Sequence, residues 1–291
     1  MPTNLLLSSK EYGGWDDVIA TLEGSRVPRM ATIDMDSVAA DSNGNKYLKA
    51  GTVIIKGADG FGRPYPVSKI ASAAITTAST AIVVDNASIF KDDDVLVVMK
   101  PYARADLAST WANGDTATLV LDGQSVTHTV ADYTSLTALA TAIAGTLNNS
   151  ILGTKADFIA EAQYLHMFSK DGRNYPVSAS EVTAGSGTFA LNGSVTALQS
   201  NVSVETVDAD GVNTTTNTLT LADTANIRLP IGAPIGVNDL AGEIWGMVAV
   251  MVNLNNQSND VGCYTALSVH GGRLPYWDGI LQAALPEITL V

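Results

Sequence analysis

The chain has 291 residues, of which 46% are hydrophobic and 15% charged, and its 16 Lys and Arg stand against 29 Asp and Glu for a formal net charge of −13. So few cations exclude a sequence-independent nucleic-acid binder, which must cluster Lys and Arg to release counterions, and argue equally against an anionic membrane surface. The single cysteine, Cys263, excludes an internal disulfide and a thiolate zinc cluster, so packing or assembly must supply the stability.

Short β-branched runs broken by Gly, Asn, Asp and Pro recur along the whole length, the pattern of a mainly β protein. Residues 1–30 hold no sustained period and carry Gly13-Gly14, Gly24 and Pro28. They read as an extended N-terminal arm with apolar anchors at Leu5, Leu6 and Leu7 and aromatic ones at Tyr12 and Trp15. The opening stretch lacks the basic start and apolar run of a secretory signal, and no stretch approaches the roughly 20 apolar residues that span a bilayer. The expectation is synthesis in the cytoplasm.

Tyr47 to Lys56 can form a strand, Ala58-Asp59-Gly60 a turn and Gly62 to Val67 the return strand of a hairpin. Two passages, residues 80–99 and 216–237, share an Asp-x-Ala-x-Ile core at Asp85-Ala87-Ile89 and Asp223-Ala225-Ile227, each between β-prone runs. They are expected to pair as one small β module. Between them, Thr116 to Leu121 and Ser125 to Val130 flank Asp122-Gly123, a pair suited to the positive φ of a tight turn. A helix follows from an N-cap at Thr134 or Ser135, with Leu136, Leu139, Ala140, Ile143 and Leu147 along one face and Asn148-Asn149 at its end. Further strands in Phe158 to Phe168 and Thr188 to Leu191 make this insert β-β-α-β-β, similar in pattern to hairpin-helix modules of phage structural and flagellar hook-associated proteins. The last stretch, from Gly242, holds an apolar strand pair around a polar loop, Asn255 to Asp260.

The expected organisation is therefore an arm (1–30), a discontinuous core (31–72 and 236–291), a small β module (73–103 and 212–235) and an inserted α+β domain (104–211).

Chemistry is thinly represented. Of three histidines, His128 and His166 fall mid-strand and read as structural residues, while His270 precedes Gly271-Gly272 at a strand end without a nucleophile elbow. Asp92-Asp93-Asp94 concentrates carboxylates that can attract Ca²⁺, but the spacing is not that of an EF-hand and an acidic turn needs no metal. Gly57 to Gly62, GADGFG, lacks both dinucleotide and P-loop spacing and links two strands. No nucleophile, metal set or cofactor motif emerges, so the chain reads as a non-enzyme without cofactor or metal. Trp111 and Tyr276-Trp277 join the arm aromatics as candidate contact anchors or sugar-stacking residues, with local packing under a loop the alternative for each.

Gly51-Thr52-Val53-Ile54 followed by Arg63-Pro64-Tyr65-Pro66, then Leu267-Ser268-Val269-His270-Gly271, and the ending Ala283-Ala284-Leu285-Pro286-Glu287-Ile288-Thr289-Leu290-Val291 resemble the head decoration proteins of tailed phages, the lambda gpD-like group. The resemblance covers residues 45–70 and 240–291. Glu287 stands where the family favours Gly, Leu290 often replaces Phe, and the core is split by a long insertion.

The resemblance implies a β-rich core that sits as homotrimers on the outer face of the expanded capsid, bound to the major capsid protein, and cements it against internal pressure. It implies that the arm orders by adding to a capsid-protein sheet. Contact candidates are Leu5, Leu6, Leu7, Tyr12, Trp15, Gly51, Thr52, Tyr65, Pro66, His270, Tyr276, Trp277, Leu285 and Pro286. The insert would face outward as a spacer, a lateral contact or a binder of host-surface glycan. The alternative is a tail, baseplate or capsid-surface adhesin with a carbohydrate-binding β domain.

Overall fold

The computed structural model describes residues 19–26, 29–38, 45–57, 59–237, 244–254, 260–270 and 279–291. The protein is mainly β. The described residues of 1–66 and 239–291 form one compact unit and those of 67–238 a second.

The chain enters the first unit through β1 (Ile19–Arg26), β2 (Arg29–Thr32), β3 (Tyr47–Leu48), β4 (Val53–Lys56) and β5 (Gly62–Pro64). The expected arm is thus strand from residue 19 onward, because β1 and β2 find partners near the C-terminal end of the chain. Residues 1–18, with Leu5, Leu6, Leu7, Tyr12 and Trp15, lie outside the described residues. The run from Tyr47 to Lys56 is broken by a turn at Gly51, whose φ of 82° only glycine adopts without strain. The β4–β5 hairpin forms, with Gly60 at φ 86°, but its return strand ends at Pro64 rather than Val67, because Val67 starts a strand of another sheet.

The second unit begins at Val67. Six strands, β6 (Val67–Lys69), β7 (Ala81–Val83), β8 (Val95–Val98), β16 (Ser203–Asn213), β17 (Thr218–Leu221) and β18 (Pro234–Val237), make a sheet in the order β6-β18-β8-β16-β17-β7. The two outer strands meet where Ile70 bridges Val84, with Ala71 N–H donating to Val83 O at 2.8 Å and Asp85 N–H to Lys69 O at 2.9 Å. The sheet therefore closes into a barrel and leaves no open edge. Inside lie Ile82, Leu96, Val98, Val204, Val207, Leu219 and Ile235, each 2% exposed or less. The two Asp-x-Ala-x-Ile passages do pair, β7 with β17 and β8 with β18. Each runs from a strand into a segment with a buried alanine, Ala87 or Ala225, and turns through a positive φ, at Asp93 or Gly232, before the next strand. Residues 67–72 belong with this barrel rather than with the first unit, because β6 pairs with β18.

Between β8 and β16 the chain builds β9 (Tyr102–Ala108), β10 (Thr116–Leu121), β11 (Gln124–Thr129), α1 (Leu136–Asn148), β12 (Ala156–Glu161), β13 (Tyr164–Ser169), β14 (Val177–Val182) and β15 (Thr188–Leu191). They form two sheets, β12-β13-β9-β15 and β11-β10-β14. Ser135 caps α1 by accepting from Ala138 N–H at 3.1 Å, and Leu139, Ala140, Ile143 and Leu147 enter a core with Leu107, Leu119, Leu121, Leu165 and Phe189. Three corrections to the expected insert follow. β9 starts it at residue 102, residues 158–168 are a hairpin turning at Ala162 rather than one strand, and β16 leaves it for the barrel.

The chain returns to the first unit through β19 (Ile244–Val248), β20 (Val252–Asn253), β21 (Asp260–Tyr264), β22 (Ala266–Val269), α2 (Gly279–Ala284) and β23 (Ile288–Leu290). A five-stranded sheet in the order β2-β21-β19-β4-β5 has its outer strands joined where Ile33 bridges Gly62 and Asp34 N–H donates to Gly62 O at 2.8 Å. Its core holds Ala31, Ile33, Ile54, Val248, Val261 and Cys263. β22 runs between β1 and a parallel β23, and β3 pairs with β20.

Candidate functional site

Among the contact candidates in the described residues, Gly51, Tyr65, Pro66 and Leu285 are buried. Gly51 N–H donates to Val248 O at 2.7 Å, Tyr65 N–H to Val53 O at 2.8 Å, and Leu285 closes α2 by donating to Leu281 O at 2.8 Å. These motif residues build the first unit's interior and do not offer a contact surface. Thr52 and His270 are half-buried and Pro286 is exposed. Tyr276 and Trp277 lie outside the described residues. The motif segments instead expose Phe61 at the hairpin turn and Leu290 and Val291 on and beyond β23.

Trp111 follows the packing alternative. It is 2% exposed, its Nε1–H donates to Ala108 O at 3.2 Å, and Gly187 lies so close to the indole that a Cβ there would sit 2.8 Å from Trp111 Cδ2. It is a core residue and cannot stack on a sugar. Asp92, Asp93 and Asp94 shape a turn: Asp94 Oδ2 accepts from Lys91 N–H at 2.8 Å, Asp92 Oδ1 from Val212 N–H at 3.2 Å, and Asp93 takes φ 64°. His128 Nδ1 lies 2.8 Å from Thr146 Oγ1 on α1, and burial lowers its pKa.

A polar network centred on a buried histidine lies on one face of the β9-β13-β12 sheet. Antiparallel register places Tyr102 opposite Phe168, Arg104 opposite His166 and Asp106 opposite Tyr164, with Ile159 and Glu161 continuing the last two rows on β12. Side chains alternate across a strand, so Ala103, Ala105, Leu107, Leu165 and Met167 enter the core on the other face. The polar face meets the barrel: Tyr102 and Phe168 pack in the barrel's own core cluster, and Arg228, from the loop before β18, reaches back to the sheet.

His166 is fully buried at 0% exposed. Its Nδ1 is 2.9 Å from Tyr102 Oη, which donates to Arg228 O at 3.2 Å. A carbonyl only accepts, so we assign the imidazole proton to Nδ1, donating to Oη, and leave Nε2 bare. Nε2 has no hydrogen-bond partner and sits 3.9 Å from Glu161 Oε2, which is turned toward Arg228 Nε at 3.5 Å. Burial, reinforced by the Arg104 and Arg228 guanidinium groups, lowers the His166 pKa to about 3. The ring is therefore neutral, and its proximity to Glu161 is not an ion pair. Burial likewise raises the Tyr102 pKa.

Around this centre Arg104 forks onto Asp106 at 2.7 and 3.0 Å, and both guanidinium groups lie over the Tyr164 ring, 4.8 Å away for Arg104 and 4.6 Å for Arg228. A histidine without solvent contact cannot touch a substrate. The arrangement can position the inserted sheets on the barrel and hold them there. Period-two alternation in Tyr102-Ala103-Arg104-Ala105-Asp106-Leu107 marks one polar and one apolar face, but the partners Glu161 and Arg228 are remote in sequence and carry no local signal.

No family model matches the chain, and no curated protein matches it in sequence.

Proposed function

We propose that the chain is a virion structural protein that coats the outer face of an expanded phage capsid as homotrimers, contacts the major capsid protein and stabilises the shell. One observation supports this reading above the others. The two segments that resemble decoration proteins are far apart in the chain, yet up to Pro66 they share one unit: β4 pairs with β19, β3 with β20, and the parallel β22–β23 pair comes from the closing stretch. The residues between them, 67–238, form a unit of their own, as an insertion into a decoration core would.

A cementing role needs many identical weak contacts rather than a catalytic centre. A trimer turns weak single contacts into tight binding through effective concentration. The net charge of −13 suits the exterior, away from packaged nucleic acid. Among the described residues of these segments, Phe61, 48% exposed on its turn, Val250, Leu290 and Val291 are accessible large apolar residues, and they are the contact candidates we put in place of the buried ones. The adhesin alternative drew on Tyr276-Trp277, which lie outside the described residues, on the Thr- and Asn-rich insert, and on Trp111, which is buried and no longer supports it. The test is binding of Phe61→Asp and wild-type chains to expanded shells of the encoding phage. Weakened binding by the variant, with unchanged thermal stability, supports the reading, and absence of wild-type binding refutes it.

A further inference from the structure

The segment between β15 and β16 crosses from the inserted sheets to the barrel along a fixed path. Val177 N–H donates to Thr196 O at 2.9 Å, Leu198 N–H to Tyr175 O at 2.9 Å, Gln199 N–H to Tyr102 O at 2.8 Å and Val98 N–H to Val202 O at 2.9 Å. Together with Asn174 this segment walls an open groove of about 720 Å³.

The lining has no ionisable group and mixes polar residues with apolar Val195, Ala197, Leu198 and Val202. Asn174, Thr196, Gln199, Ser200 and Asn201 supply amides and hydroxyls, while Leu198, 1% exposed, contributes an apolar floor. Ser200 Oγ donates to Asn174 Oδ1 at 2.7 Å, which fixes that amide and directs its two N–H donors elsewhere. The groove is preformed, since its wall is hydrogen-bonded to the inserted sheets on one side and to β8 on the other.

We infer that this groove binds a short stretch of uncharged glycan. An anionic ligand would meet no cation there and would approach a chain of net charge −13. An apolar ligand would desolvate amides and hydroxyls without replacing their hydrogen bonds. A sugar presents hydroxyls that both donate and accept, matching amides that do the same. No aromatic ring lines the groove, so one site binds weakly. The inference is independent of the capsid reading, and its failure would leave that reading standing.

Saturation-transfer NMR on the full chain, with neutral trisaccharides of glucose, galactose, mannose and N-acetylglucosamine and with sialyllactose as the anionic probe, tests it. At least one neutral sugar receives saturation, and Asn174→Ala combined with Gln199→Ala weakens its binding about tenfold, the loss expected for one or two hydrogen bonds. Both side chains are exposed, and an unchanged melting temperature verifies the fold. No transfer to any neutral sugar, transfer unaffected by the double variant, or preference for sialyllactose would each overturn the inference.

Discussion

Replacing His166 by Phe should flatten the acid sensitivity of the second unit. The wild-type ring is fully buried and neutral, with a folded-state pKa near 3 against an ordinary 6.5, chiefly because burial penalises the charged form. The folded pKa is depressed, so above pH 6.5 neither state carries the proton and stability is unaffected. As pH falls from 6.5 toward 3 the unfolded chain takes up a proton that the folded one refuses, and stability drops by about 1.4 kcal/mol per pH unit. At pH 5 the loss attributable to His166 is about 2 kcal/mol. Phe keeps an apolar ring beside Tyr102 and Phe168, which lie 5.2 Å apart between centroids, and costs at most a pH-independent repacking term. The assay is hydrogen-exchange protection of the β9 and β13 amides in urea at pH 7 and pH 5 for both proteins. Carboxylates that titrate in this range contribute equally to each and cancel in the difference. Wild type should lose about 2 kcal/mol more than the variant. Equal losses would show that the ring is protonated or solvated in the folded state and would refute the assignment.

Three further outcomes follow from the packing. Gly187→Ala would place a Cβ 2.8 Å from Trp111 Cδ2 and should destabilise the inserted sheets by about 1–3 kcal/mol, read as a lower melting temperature. Ser135→Ala removes the acceptor for Ala138 N–H and should cost about 1 kcal/mol, measured by urea unfolding. Deleting residues 1–26 strips β22 of β1 and should lower the melting temperature below that of a chain lacking residues 1–18 alone. Equal melting temperatures for the two truncations would show that β1 adds nothing to the first unit.

What local pattern determines was legible in the sequence. The β10–β11 hairpin turns at Asp122-Gly123, with φ of 51° and 74°, and α1 starts from Ser135, because a turn and a cap are decided by a few neighbouring residues. Long-range pairing was not legible. Both sheet closures, Ile33 to Gly62 and Ile70 to Val84, depend on short bridges with no hydrophobic run of their own. β1 reads as irregular because IATLEGSR has little apolar period and becomes a strand through irregular pairing with β22. Trp111, at a boundary, read as a contact anchor or as packing under a loop, and its burial depends on the bare surface that Gly187 presents from a distant loop. The same limit hid the Tyr102–His166 network. Its β9 half shows as alternation, but Glu161 and Arg228 are supplied by β12 and by the loop before β18. Tyr65, Pro66 and Leu285 read as contact residues and are buried, because a one-dimensional pattern does not distinguish a residue that packs inward from one that meets a partner.

The central claim is attachment to an expanded shell, and co-sedimentation with expanded and unexpanded shells of the encoding phage tests it most directly, with bound copies counted per capsid subunit. The account predicts saturable binding to expanded shells alone, at close to one copy per subunit, as trimers at threefold positions require. No binding to either shell, or equal binding to both, would contradict it.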